Sequence, residues 1–185
     1  LSRKINLKYD KVYNLEVNYR PFTKKNFYAD KYLSSYFFST VEYFKKDNVI
    51  ISVNLPGNPK GFHLLSSNSP IDLHFSGDSS CVPLYIYDQE GNRHDNITDW
   101  GLSQFTSHYQ DSAITKEDIF YYTYAVLHNP EYRKKYELNL KREFPRLPFY
   151  EDFFKWVSWG KQLMELHINY ETVAPFDLQV IDNTN

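Results

Sequence analysis

Near residue 112 the apolar pattern of this chain changes its period, and the change constrains the fold class more than any other feature. Before it, the sequence breaks into short runs divided by turn residues. Val12, Leu15 and Val17 stand in a mixed run ending at Tyr19-Arg20-Pro21, and Asn26 to Leu33 is an aromatic-rich extended stretch. Val49-Ile50-Ile51-Ser52-Val53 is β-branched and apolar, as a buried strand requires, and it stops at the turn-rich Asn54-Leu55-Pro56-Gly57-Asn58-Pro59. Phe62 to Leu65, Ile71 to Phe75 and Leu84 to Tyr87 are further strand candidates, and the polar stretch from Asp88 to Asp95 is expected to be an exposed turn. After residue 112 the spacing becomes helical. Thr115-Lys116-Glu117-Asp118 has the hydroxyl cap and early acids of a helix start, followed by Ile119, Tyr122 and Val126. Asn129-Pro130 ends that helix and opens a second one, with Tyr132, Tyr136 and Leu140 on one face until Pro145 and Pro148 break it. A third helix is expected over residues 150–170, with Phe153, Trp156, Val157, Leu163 and Leu166 turned inward and Gly160 marking close packing. The expected class is α+β: a strand-rich part with a mixed or antiparallel sheet over 1–110, then a three-helix segment over 111–185. At 185 residues the two parts fit one compact domain.

Composition narrows the chemistry. With 17 Tyr and 14 Phe, the chain suits half-buried sheets and wet interfaces, because each tyrosine adds a hydroxyl handle to apolar area. Cys81 is alone, so neither a disulfide framework nor a cysteine zinc site can form, and a reducing cytoplasm is the expected compartment. No apolar run approaches the ~20 residues of a membrane span, and no signal-peptide pattern opens the chain. The chain begins at Leu1 rather than Met, as expected of a piece of a larger polypeptide. The net charge of −2 conceals an asymmetry. Residues 1–50 hold ten Lys/Arg against five Asp/Glu, a local +5; residues 51–110 hold two against six, giving −4; residues 111–185 hold nine against twelve, giving −3. A basic first third is suited to face phosphates.

The sequence is poor in catalytic constellations. Six scattered glycines form neither G-x-G-x-x-G nor a P-loop, and the Asn/Asp-Pro-Pro-aromatic motif of adenine methyltransferases is absent. His63, His74, His94, His108, His128 and His167 do not pair at metal-ligand spacing. Asp72 and His74 would share one face of a strand, but no nucleophile or metal ligand accompanies them. No catalytic residue, metal or cofactor is therefore expected in this segment.

Five ordered elements carry a family resemblance: Tyr19-Arg20-Pro21-Phe22; Val82-Pro83-Leu84-Tyr85-Ile86-Tyr87; Tyr122 to Pro130 followed by Tyr132-Arg133 and Tyr136; Leu140 to Pro148; and Gly160, Leu163 and Leu166-His167. Together they resemble the C-terminal specificity (target-recognition) domain of type ISP restriction-modification enzymes and related adenine-specific DNA methyltransferases. The sequence departs from that pattern at Thr23 and Lys25, where the family has Asp-x-Arg, and mildly at Val82. The resemblance implies sequence-specific recognition of double-stranded DNA by a bacterial, cytoplasmic protein. It implies that S-adenosylmethionine and adenine flipping belong to a methyltransferase domain of the same polypeptide, to which some members add nuclease and helicase-like parts.

Base reading needs side chains with donor and acceptor geometry, whereas phosphate contact needs cations. The candidates for DNA contact are Arg20, Lys24, Lys25 and Asn26; Asn54, Asn58 and Lys60 in the Pro/Gly turn; and Asn92 and Arg93, with His94, in the polar loop. Arg20 has a rival reading as part of a structural corner. Arg133, Lys134, Lys135, Lys141 and Arg142 make the second helix basic and are candidates for phosphate or interdomain contact, against the plainer reading of a solvated face. The alternative function is an aromatic-rich carbohydrate- or protein-binding module.

Overall fold

The computed structural model describes residues 8–30, 32–33, 41, 43–44, 46–54, 56–72 and 74–178. Lys31, Leu55 and Leu73, which belong to segments expected above to be extended or turn, lie outside the described residues. A 3-10 turn at Lys11–Tyr13 leads into an antiparallel hairpin of β1 (Asn14–Arg20) and β2 (Thr23–Tyr28). Val12 is thus in the turn, 69% exposed, and not in the first strand. The central sheet has the order β4-β3-β5, with β3 (Ile50–Asn54) between β4 (Leu64–Ser67) and β5 (Ser79–Pro83), both antiparallel to it. A third pair, β6 (Tyr85–Tyr87) and β7 (Arg93–Asp95), makes a hairpin of the segment expected to be a plain turn. The expected strand at Ile71 to Phe75 reduces, among its described residues, to one parallel bridge between Ile71 and Asn18 followed by a turn.

Every residue of β3 is buried, because both of its faces are covered. Ile51 and Val53 point into the main core with Leu64, Leu84 and the helices; Ile50 points the other way, against Ile71 and Phe75. On that second face Ser52 meets Ser76, Oγ to Oγ, at 3.4 Å.

Five helices are described: α1 (Asp99–Tyr109), α2 (Lys116–His128), α3 (Pro130–Lys135), α4 (Glu137–Leu140) and α5 (Phe153–Ile168). The α+β class holds, and strands do precede helices. Two details differ from expectation. Helix α1 occupies a segment read as part of the strand-rich region; Thr98 caps it, and Leu102, Phe105 and Tyr109 turn its inner face to the core. The second expected helix is broken at Tyr136 (φ −107°, ψ 19°) into α3 and α4.

The capping chemistry stands as the sequence suggests. Thr115 and Asp118 form a reciprocal capping box on α2, and the Asn129 side chain accepts the Glu131 N–H at 2.9 Å ahead of α3, with Pro130 at its first position. Helices α2 and α5 pack so closely that a Cβ built on Gly160 would lie 1.9 Å from the Tyr121 carbonyl oxygen. Only glycine fits there. Phe153, Val157 and Met164 complete the inner face of α5, while Leu166, expected on that face, is 51% exposed.

Tyrosines of α1, α2 and α3 join the layers. Tyr122 donates its hydroxyl to the Pro148 carbonyl at 2.7 Å and accepts the Tyr150 N–H at 2.8 Å, while Tyr109 donates to the Tyr150 carbonyl at 2.6 Å. Tyr124 accepts the Ser66 N–H of β4 at 3.0 Å and donates to His167 Nδ1 of α5 at 2.5 Å. Tyr132 donates to the Arg146 carbonyl at 2.8 Å. Each buried ring thereby adds packing area and also satisfies a backbone group that the irregular 145–150 segment or the sheet would leave without a partner.

Candidate functional site

The register of the central sheet sorts the candidate residues. β3 runs from Ile50 to Asn54, with Pro83 opposite Ile50 and Ser79 opposite Asn54. The turn at 54–61 and the loop at 74–78 therefore sit at one end of the sheet, and the β6–β7 hairpin sits at the other.

At the Asn54 end the turn is held from three sides. Asn54 is buried; its amide donates to the Gly61 carbonyl and accepts the His63 N–H at 2.7 Å. The His63 ring donates through Nε2 to the Ser76 carbonyl at 2.5 Å, and the Gly57 N–H donates to the Lys141 carbonyl at 3.0 Å. Gly77 has φ +85°, and a Cβ there would meet Asn58 Nδ2 at 3.3 Å and Lys60 Cδ at 3.4 Å. Asn54 thus builds the turn, whereas Asn58 and Lys60 lie against the neighbouring loop with Lys60 exposed.

At the opposite end Asp88 organises the hairpin. Its carboxylate accepts the Asn92 N–H at 2.7 Å, the Asn92 amide at 3.0 Å and His94 Nε2 at 3.1 Å. The His94 bond first, and those of Asn92 next, hold the Asp88 carboxyl well below the usual carboxylate range. Lys46 donates to the Gly91 carbonyl at 2.5 Å, and Tyr87 donates to the Asp47 carbonyl at 2.9 Å. All of β7 is exposed, and the Arg93 guanidinium lies 4.3 Å from the centre of the Tyr85 ring.

The β1–β2 hairpin docks on the last helix. Phe22 takes a left-handed φ of 55° and sets its ring edge-on to Tyr170 at 5.1 Å and to His167 at 6.2 Å. Lys24 bridges Glu16 at 3.1 Å and Glu171 at 3.2 Å, and those two carboxylates raise its pKa. Arg20 donates to Asp72 at 2.8 Å and to its neighbour's carbonyl at 2.6 Å. Asn18 donates to Ser67 Oγ at 2.7 Å and to Ser69 Oγ at 2.9 Å. Lys25 and Asn26 remain exposed, with the Lys25 ammonium 3.9 Å from the centre of the Tyr19 ring. Thr23, one of the two departures from the family pattern, is exposed at the hairpin end.

On the helical side Arg133 is half-buried, its Nε donating to the Leu127 carbonyl at 2.6 Å, and burial lowers its pKa. Lys141 pairs with Glu137 at 2.6 Å, and Lys134 and Arg142 are exposed. A cleft of about 300 Å³ beside α3 and α4 is lined by Tyr132, Tyr136, Leu140, Phe144 and Pro145, with Glu143 and Arg146 paired at 3.0 Å on its rim.

Reactive groups are not assembled anywhere among the described residues. Asp72 serves Arg20 and the His74 N–H, while the His74 ring faces Asp78 at 3.2 Å, so the two do not form an acid–base pair. Burial pushes the Cys81 thiol up to about 11, away from thiolate chemistry. It also lowers His128 to about 4 and depresses His167. Among the described residues no group of three or more His, Cys, Asp or Glu side chains is placed to hold a metal ion. No described helix is long and apolar enough to cross a membrane.

Fold and site together define an α+β recognition module: a core whose buried polar groups are largely satisfied internally, Ser66 Oγ and Ser79 Oγ excepted, and exposed hairpins that carry cations and amides. The chain belongs to the family of Type ISP C-terminal specificity domains, whose model matches residues 1–185. It is similar to part of the solved DrdV–DNA complex, with a TM-score of 0.88 and 41% identity over 94% of this chain. It is also similar to part of a nuclease-deletion mutant of the Type ISP restriction-modification enzyme LlaGI in complex with a DNA substrate mimic, with a TM-score of 0.76 and 31% identity over 95% of this chain. A third likeness is to the ATP-dependent Type ISP restriction-modification enzyme LlaBIII bound to DNA, with a TM-score of 0.77 and 26% identity over 92% of this chain. The chain spans 17%, 15% and 12% of those three proteins. No curated protein matches it.

Proposed function

We propose that this chain is the duplex-DNA target-recognition segment of a bacterial restriction-modification enzyme that methylates adenine. The observation that carries the reading is the match of the whole chain to a specificity-domain family, together with its likeness, over nine-tenths of its length, to parts of three DNA complexes. The strand-rich part, 1–110, grips and reads the duplex; the helical part, 111–185, supports it and joins it to the rest of the polypeptide. Such an enzyme works in the cytoplasm, where the DNA is. Methyl transfer from S-adenosylmethionine to a flipped adenine belongs to a methyltransferase domain elsewhere in the same polypeptide.

Burial and pairing divide the candidates by role. Asn54 and Arg133 hold backbone carbonyls inside the fold, and Lys24 clasps two carboxylates, so these three position the surface. Asn58, Asn92 and Arg93 have the amide and guanidinium geometry that reads adenine and guanine edges. Lys25 and Lys60 supply exposed charge for phosphates, and Lys134 and Arg142 do so, or dock the methyltransferase domain, on the helical side.

The test is the salt dependence of duplex binding by the full-length protein. Log affinity should fall linearly with log salt, with a slope of about −0.9 for each phosphate neutralised. Binding that hardly responds to salt contradicts the proposal.

A further inference from the structure

We propose that the Tyr19 ring, with Arg20 and Lys25 set against it, is a preformed subsite for one phosphate of the DNA backbone. The inference deepens the DNA-recognition reading and rests on it. The Arg20 guanidinium carbon lies 4.0 Å, and the Lys25 ammonium nitrogen 3.9 Å, from the centre of the ring. Two like charges therefore stand within about 8 Å of each other on a half-exposed surface, where their repulsion is felt. An aromatic ring orients a cation without neutralising it, which a carboxylate would do. Here the only carboxylate of the described residues that pairs within the cluster is Asp72, and it pairs with Arg20. No carboxylate among the described residues pairs with Lys25, so the cluster carries one positive charge with no counterpart.

The contrast with other cations of the fold sharpens the point. Lys24 is closed between Glu16 and Glu171, Lys116 between Asp95 and Asp99, and Lys141 by Glu137. Those charges are already spent within the fold. Lys25 is directed by Tyr19 and left open.

The support is also stiff, which a phosphate contact needs if it is to set register. The hairpin that carries all three residues is fixed to His167 of α5 and to Tyr170 through Phe22, to Glu171 through Lys24, and to Ser67 and Ser69 through Asn18. A phosphate seated against Lys25, on the side of the ring open to solvent, relieves the repulsion and meets an ammonium that the ring already orients.

The experiment compares the full-length protein with its Lys25→Gln and Lys25→Arg variants, measuring duplex affinity across a salt series and the methylated motif in cells. Lys25→Gln should make the salt slope less negative by about 0.9 and weaken binding about fivefold near 0.15 M salt, equally for all sequences. The motif and the melting temperature should not change, and Lys25→Arg should restore the slope. An unchanged slope in Lys25→Gln, beside a wild-type slope that is steep, overturns the subsite and leaves the recognition reading standing. A motif relaxed at one position makes Lys25 a base reader and overturns the subsite too. A wild-type protein whose binding shows no salt slope overturns both readings at once.

Discussion

The α2–α5 interface and the exposed hairpins both place tyrosines beside basic side chains, yet they treat them in opposite ways. In the interface Tyr122 and Tyr124, and in α3 beside it Tyr132, are completely or almost completely buried, and each hydroxyl closes a hydrogen bond to a distant backbone group or ring. On the hairpins Tyr19 and Tyr85 are half-buried, and their rings lie against Arg20, which pairs with Asp72, and against Lys25 and Arg93, for which no carboxylate partner stands among the described residues. Low dielectric makes an unmatched polar group expensive inside, whereas water tolerates it outside. One region therefore closes upon itself, and the other keeps valences for a ligand. Tyr122 to Leu127 and Gly160, which carry part of the family resemblance, lie in the closed region, whereas Lys141, Arg142, Phe144 and Arg146 of the Leu140 to Pro148 element are exposed.

That contrast breaks most visibly at Gly160. Gly160→Ala should cost about 3 kcal/mol of stability, because the new methyl meets the Tyr121 carbonyl and backbone cannot move aside cheaply. The helix-propensity gain of ~1 kcal/mol does not offset this. A denaturant titration of the 185-residue chain reads it, and a neutral or stabilising result would show that α2 and α5 pack less closely than described. The next effect is a pH dependence. Burial holds His128 at about 4 in the folded chain, below its ordinary value of 6.5, with its Nδ1–H donated to the Tyr124 carbonyl at 2.8 Å. As pH falls below 6.5 the unfolded chain takes up a proton that the folded chain refuses, so stability declines and levels off below about 4. The loss should be on the order of 2 kcal/mol between pH 7 and 4. His128→Asn keeps a donor but does not titrate, so its stability should vary less over that range; an equal decline in both proteins assigns the effect elsewhere.

Much of the closed region was legible in the sequence because its signals are local. The capping box at Thr115 and Asp118, the Asn129-Pro130 junction and the close-packing glycine are each set by a few neighbouring residues. Helix α1 was missed although Thr98 and Asp99 form a usable start, because it exposes most of its length and buries fully only Phe105. β5 was missed because Ser79-Ser80-Cys81 has little strand character of its own; it is a strand because β3 offers an unpaired edge. The candidate site was legible only as a set of residue types. That Arg20 is the partner of Asp72 and Lys24 a clasp to Glu171 depends on contacts between segments far apart in the chain. No local pattern encodes such contacts.

The claim that the exposed strand-rich surface reads DNA is tested most directly by exchange in the full-length enzyme. The exposed residues within 19–26, 56–63 and 88–95 would be replaced by those of a relative with a different target, keeping Ile51, Val53, Leu64 and Leu84 so that the shared core survives. Methylated adenines are then mapped across the genome. The account predicts that the modified motif moves toward that of the donor while methylation itself persists. A hybrid that methylates efficiently at the original motif would contradict it, and would place the reading of DNA outside these hairpins and loops.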